Sequence, residues 1–182
     1  MRAVATLALG LLLFGCFLGY RQISGNFHVV APGELYRSAQ PTPDRLAGYV
    51  AAHGIRTVVN LRGANDGAGW YDAEKRASAA LGLNHIDFAM SARARLGDER
   101  MSQLIAILLT AEKPILVHCM GGADRSGLAS ALYLTFVKGV APEIAERQLS
   151  IFYGHFAVSI SKTMAMDETF DAIEATLGGN DV

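Results

Sequence analysis

The sequence predicts an α/β fold: a single domain with a mostly parallel central sheet flanked by helices, preceded by an N-terminal apolar leader helix. Three observations predict it. Short β-branched runs, among them Ile55–Leu61 and Ile115–Val117, are apolar without alternation, the pattern of strands covered on both faces. Stretches of helical pattern separate such runs through the first two thirds of the chain, and two more close it, an order that calls for parallel strands joined by helical crossovers. A length of 182 residues suffices for one domain with a real core and little else.

The leader occupies residues 1–21. Ala3 to Tyr20 is apolar or small, with no charge between Arg2 and Arg21. Such a segment is a secretory signal, a lipoprotein signal or a membrane anchor. It sits at the short edge of spanning length, and Gly10, Gly15 and Gly19 weaken it as a helix. Leu13-Phe-Gly-Cys16 resembles a bacterial lipobox, with Phe14 an untypical middle residue. The expectation is a membrane-associated protein whose domain is exported. Residues 22–33 read as a connector, 34–178 as the domain and 179–182 as a fraying tail.

Within the domain, Glu34 to Ser38 reads as a short strand. Thr42 is a natural N-cap, with Pro43 at the first helical position, for a helix that runs to His53 and stops at Gly54. Ile55–Leu61 is a buried strand, and Arg62–Gly69 a loop rich in Gly, Asn and Asp. Trp70–Leu81 is an alanine-rich helix closed by Gly82. Asn84–Phe88 is a strand, Met90–Gly97 a basic loop, and Asp98 the cap of a helix to Thr110. Ile115–Val117 is the central strand, followed by a buried helix over Leu128–Val137. Pro142 restarts a helix to about Phe152, and Asp167–Leu177 closes the domain as an amphipathic helix.

A net charge of −1 argues against a general nucleic-acid binder, which would normally be basic. One of the two cysteines lies in the leader, so the domain has no disulfide pair and no cysteine-rich zinc site. His28, His53, His85 and His155 lack metal-ligand spacing and read as packed or surface residues. No metal or cofactor is expected, and the domain is expected to be a monomer.

Chemistry concentrates in Pro114-Ile-Leu-Val-His-Cys-Met-Gly-Gly-Ala-Asp-Arg-Ser-Gly127. A strand feeding through a tight glycine turn into a helix aims several backbone N–H groups, and the positive end of the helix dipole, at one point. That makes an anion site before any side chain is considered. A cysteine at its head, Cys119, is stabilised as the nucleophilic thiolate. Met120, Gly121, Gly122 and Ala123 supply the cradle. Arg125 offers a planar fork that matches two phosphate oxygens. Ser126 carries a hydroxyl suited to bond the sulfur, and His118 stands behind the cysteine to orient the loop.

His118-Cys119-Met-Gly-Gly-Ala-Asp-Arg125-Ser126-Gly127 resembles the signature loop of the cysteine-dependent protein tyrosine and dual-specificity phosphatases. Its Asp-Arg-Ser-Gly flavour is similar to a bacterial branch and to the plant and fungal atypical enzymes. Asn26-Phe-His-Val-Val-Ala-Pro-Gly-Glu-Leu-Tyr-Arg-Ser-Ala-Gln-Pro41, followed by Thr57-Val-Val-Asn-Leu-Arg-Gly63, resembles the opening segment of that branch. The matches together span roughly residues 26 to 175. The resemblance implies a phosphotyrosine-phosphatase-like fold, a phosphocysteine intermediate, no metal, and phosphoproteins or phosphoinositide-like esters as substrates.

The leaving group needs a proton, and the resemblance implies an Asp on a loop about thirty residues upstream of the cysteine. Asp87 lies 32 residues upstream but inside the strand Asn84–Phe88. Alignment by the flanking helices puts the acid near Ser91, where there is no carboxylate. Asp124, inside the signature loop as in the myotubularins, is the preferred candidate, with Asp87 and Asp98 as alternatives. Arg37, Arg62, Arg93 and Arg95 are ordinarily solvated charges, but Arg62, Arg93 and Arg95 lie on loops that can share the rim of the site. Asp66, Asp72 and Glu74 read as solvated. A rhodanese-like sulfurtransferase also uses a cysteine in a strand-to-helix loop, although the five-residue gap to Arg125 argues against it. A catalytically weak phosphate-binding module could dispense with Cys119. An arsenate reductase would need further cysteines.

Overall fold

The computed structural model describes residues 2–156 and 164–178; the tail expected at 179–182 lies outside them. Among the described residues, β1 (His28–Ala31), β2 (Leu35–Ser38), β3 (Thr57–Asn60), β4 (Asn84–Asp87) and β5 (Ile115–His118) form one sheet in the order β1–β2–β5–β3–β4. Only β1 is antiparallel to its neighbour. The mostly parallel α/β architecture is the one the sequence predicts.

Successive strand residues face opposite sides of the sheet. Leu35, Val59, Ile115 and Val117 pack with residues of α4 (Asp98–Thr110), α5 (Asp124–Phe136) and α7 (Ala165–Gly178), among them Leu104, Leu108, Leu128, Leu132 and Phe170. Tyr36, Val58 and Leu116 face the other way, onto Leu46 and Val50 of α2 (Pro43–His53) and Ala77 of α3 (Gly69–Ala80). Both faces are covered, which is why β2, β3 and β5 are buried at every position. α5 is buried from Ser126 to Tyr133, and this accounts for a run without an amphipathic stripe.

Local signals in the sequence set several boundaries. Thr42 accepts a hydrogen bond from the Arg45 N–H at the start of α2, and Gly54 ends that helix with φ of 65°. Asp98 is the first helical residue of α4 and not its cap; Gly97 holds the cap position without a side-chain bond. The segment read as a connector over 22–33 holds the end of a helix and an edge strand. α1 (Arg2–Ser24) ends where Gly25 and Asn26 take φ of 73° and 47°, and β1 follows at once. β1 lies at the sheet edge and its register shifts at a bulge between Val29 and Ala31, so no clean alternation marks it.

The helix expected from Pro142 to Phe152 is α6 (Pro142–Ala145) followed by two 3₁₀ turns, Glu146–Gln148 and Ile151–Tyr153. Between those turns Leu149 takes φ of −99° and ψ of 75°, outside the helical region, and Arg37 Nη1 donates to the Gln148 carbonyl at 2.8 Å.

The leader helix, α1, is present. Among the described residues, no helix is long and apolar enough to cross a membrane.

The parallel strands end in step. Ser38 pairs with His118, His118 with Asn60, and Asn60 with Asp87, so one row crosses the sheet at its carboxyl edge. The segments that follow β2, β3, β4 and β5 all leave from that row. Ligands bind at this edge in open α/β sheets.

Candidate active site

Cys119 follows the last residue of β5, and α5 begins at Asp124, so the strand–loop–helix expected from the sequence is what forms. The thiol is buried at 2% exposure. The Gly122 N–H donates to Cys119 Sγ at 3.2 Å, and Ser126 Oγ lies 3.6 Å from the sulfur. Gly122 has φ of 69°, and a Cβ there would sit 2.4 Å from the Ala39 nitrogen, so only glycine fits. Met120 is exposed at the lip of the loop.

Arg125 starts in the first turn of α5. Its Nη1 reaches the carbonyls of Leu61 at 3.4 Å and Met90 at 3.3 Å, which fixes the guanidinium between the segments after β3 and β4. Its Nε is buried and finds no acceptor among the described residues. A buried N–H of that kind costs roughly 1–3 kcal/mol when left unmatched.

His118 is buried behind the loop, with Nε2 at 3.1 Å from Glu74 Oε1. Glu74 was expected to be solvated. It is 1% exposed, because α3 packs its carboxylate onto His118, onto His85 Nε2 at 2.8 Å and onto the Gln40 side-chain amide. Burial pushes its pKa up, but the bonds to His118 and His85 outweigh burial and hold it at about 2. A carboxylate whose folded pKa is depressed stabilises the fold above its unfolded value, and that stability is lost as pH falls through the folded one. Unfolding of the wild type in urea should therefore lose on the order of 3 kcal/mol between pH 4.5 and about 2 on account of Glu74. Glu74→Gln should be less stable at neutral pH and flatter across that window.

Arg62 belongs to the rim. Its Nη1 donates to Gln40 Oε1 at 2.8 Å and its guanidinium lies 3.4 Å over the Trp70 ring. Burial and the neighbouring charge of Arg125 lower its pKa, while Glu74 and Cys119 act in the opposite sense. Arg95 and Asp98 line a groove of about 250 Å³ together with Phe136 and Ile173. Arg93 has an exposed side chain, on the segment whose first carbonyl meets Arg125.

Asp87 is held in the sheet. Its two oxygens accept from Asn60 Nδ2 at 2.8 Å and from the Tyr71 hydroxyl at 2.5 Å, bonds that tie β4 to β3 and α3. Asp124 Oδ1 lies 2.7 Å from His155 Nδ1, and His155 Nε2 lies 2.9 Å from Asp167 on α7. Burial pulls the His155 pKa down, but the bonds to Asp124 and Asp167 outweigh burial and raise it. Among the described residues no group of three or more His, Cys, Asp or Glu side chains is placed to hold a metal ion.

Sequence reasoning missed several residues of the site. Arg37, expected to be solvated, is fully buried, with Nη2 on the Gly122 and Ala123 carbonyls at 3.0 and 2.8 Å and its guanidinium 4.2 Å over Tyr153. Its place between Tyr36 and Ser38 in a buried strand was the available signal. Asn26, Gln40 and Glu74 carried none that is local.

A buried thiol and an arginine bracket a strand-to-helix loop, the arrangement of the cysteine-phosphatase class. Residues 24–174 match the family model described as "Swiss Army Knife protein, DSP-PTPase phosphatase domain", and the chain belongs to that family of dual-specificity-type protein tyrosine phosphatases. Solved structures share the fold at low identity. Pseudomonas aeruginosa TpbA, as a cysteine-to-serine variant in complex with phosphotyrosine, is 22% identical with a TM-score of 0.64, over 85% of this chain and 91% of that one. The core catalytic domain of the PP-IP phosphatase SIW14 from Saccharomyces cerevisiae, in complex with citrate, is 18% identical with a TM-score of 0.64, over 86% and 93%. PTPMT1 is 16% identical with a TM-score of 0.61, over 84% and 99%. No curated protein sequence matches the chain.

Proposed function

We propose that this phosphatase domain hydrolyses phosphate monoesters through a phosphocysteine intermediate on Cys119. One observation carries the reading: a buried thiol and the unmatched Nε–H of Arg125 flank the same glycine loop. A phosphoryl group seated between them supplies the acceptor that Nε lacks. The sulfur attacks phosphorus in line, forming an S–P bond as the P–O bond to the leaving group breaks. The N–H groups of the loop from Met120 to Ala123, together with Arg125, hold the equatorial oxygens. Asp124 gives its proton to the leaving oxygen through Oδ2, the oxygen that His155 does not take. Water then attacks phosphorus, Asp124 takes up the water's proton, and the S–P bond breaks. The Ser126 hydroxyl bonds the departing thiolate.

The substrates are phosphotyrosine or dual-specificity phosphoproteins, or phosphoinositide-like esters. TpbA in complex with phosphotyrosine supports the first class and a PP-IP phosphatase of the same fold the second. Arg62 beside Arg125 favours ligands carrying more than one negative charge, with Arg93 on the outer rim. The test is phosphate release from para-nitrophenyl phosphate, a phosphotyrosine peptide and phosphoinositides, with EDTA present and Cys119→Ser as control. Turnover of thiosulfate with no phosphate release from any ester would replace this reading with a sulfurtransferase.

The leader is proposed to export the domain and keep it at a membrane, on the strength of its apolar run and Cys16. Full-length protein should appear in the membrane fraction. Release by Cys16→Ala identifies lipidation, unchanged fractionation identifies an uncleaved apolar segment, and a full-length soluble cytoplasmic product contradicts both.

A further inference from the structure

The opening segment from Asn26 to Gln40 resembles the same family as the signature loop, yet none of the chemical steps uses it. The structure shows what it touches. The Gln40 N–H donates to the Met120 carbonyl at 3.2 Å. Asn26 Nδ2 donates to the Gly121 carbonyl at 2.9 Å and to the Tyr153 carbonyl at the same distance. Arg37 Nη2 donates to the carbonyls of Gly122 and Ala123. Every carbonyl of the loop from Met120 to Ala123 is thus drawn to one side by one stretch of chain.

Planar trans peptides set the consequence. In each peptide unit the C=O and the following N–H point in opposite directions. Carbonyls drawn outward at 120, 121, 122 and 123 turn the N–H groups of Gly121, Gly122, Ala123 and Asp124 toward the concave side. One of these is already seen there, since the Gly122 N–H donates to Cys119 Sγ. The packing is close enough to fix the arrangement: a Cβ on Gly122 would meet the Ser38–Ala39 peptide, and one on Gly127 would lie 2.8 Å from the Gln148 carbonyl and 3.2 Å from Arg37 Nη2.

We propose that this opening segment is the template that holds the phosphate loop in its anion-binding form, with Arg37 as its principal positioning residue. Arg37 does not touch substrate. Its planar fork spans two successive loop carbonyls with one nitrogen and the Gln148 backbone and side-chain oxygens with the other. A lysine has the charge but not the fork, so it can hold one of these groups at a time. The proposal rests on Cys119–Arg125 being the phosphate loop.

The test measures oxyanion affinity apart from stability. Vanadate inhibition of the full chain is measured with para-nitrophenyl phosphate as substrate, for wild type, Arg37→Lys, Arg37→Met and Asn26→Gly. Glycine is chosen at 26 because it accepts the positive φ while losing both donors. The melting temperature of each variant is read alongside. Folded Arg37→Lys should bind vanadate roughly 10- to 100-fold more weakly, with kcat lowered to a similar extent on good and poor leaving groups. Asn26→Gly should weaken vanadate binding in the same direction by less. A variant with a lowered melting temperature but wild-type vanadate affinity makes Arg37 merely structural and overturns the proposal. If neither Arg37 variant folds, Asn26→Gly decides, and unchanged vanadate affinity there overturns the template. A wild-type enzyme that turns over but ignores vanadate overturns the phosphate-loop reading itself.

Discussion

Cys119→Ser is expected to leave no measurable turnover on any phosphate ester while still binding phosphate and its esters. A serine hydroxyl is a far weaker nucleophile than a cysteine sulfur, and the imidazole nearest in sequence does not reach it as a base: His118 is turned onto Glu74. The loss should be roughly a thousandfold or more, the scale of removing a nucleophile from a constellation that acts as a unit. Binding survives because the anion is held by Arg125 and by N–H groups that the substitution does not touch. Calorimetry with inorganic phosphate reads the second half of the expectation. Residual turnover above a few per cent of wild type would remove Cys119 from the role of nucleophile.

Asp124→Asn carries the second large effect, and its size depends on the leaving group. An unactivated phenoxide or an alkoxide needs a proton in the transition state, whereas para-nitrophenoxide scarcely does. Proton transfer from a placed side chain is worth roughly 10² to 10⁴ in rate. The Asn variant should lose that factor on phosphotyrosine or an alkyl phosphate and far less on para-nitrophenyl phosphate. An equal loss on both would mean that the carboxylate serves only to hold His155, and through it Asp167 and α7, against the start of α5. The ratio of the two losses separates chemistry from positioning; either loss alone does not.

The reactive loop was legible in the sequence because its signal is local. Cys119, the glycines, Arg125 and Ser126 follow one another within one turn and one helix start, and a β-branched run stands immediately before them. The same holds for Thr42 and Gly54 at the ends of α2. What was not legible is made by chain segments far apart. Arg37 reads as a solvated cation until Gln148 and the loop carbonyls, more than eighty residues away, are folded onto it. Glu74 looks like a helix-surface charge until β4 and β5 present His85 and His118 to its buried side. Asp87 sits at a suitable distance upstream by counting, but the register of β4 against β3 commits it to Asn60. The helix that the local pattern favours from Pro142 gives way to 3₁₀ turns after Ala145, beside the Gln148 carbonyl that Arg37 holds.

The central claim is that phosphorus passes through the Cys119 sulfur. Acid quenching of the enzyme during turnover of a phosphorus-labelled ester, followed by peptide mapping, tests it most directly. The account predicts label on the peptide carrying Cys119, formed before product appears and absent in Cys119→Ser. Steady turnover with no covalent label, or with label on another residue such as His118, would contradict it.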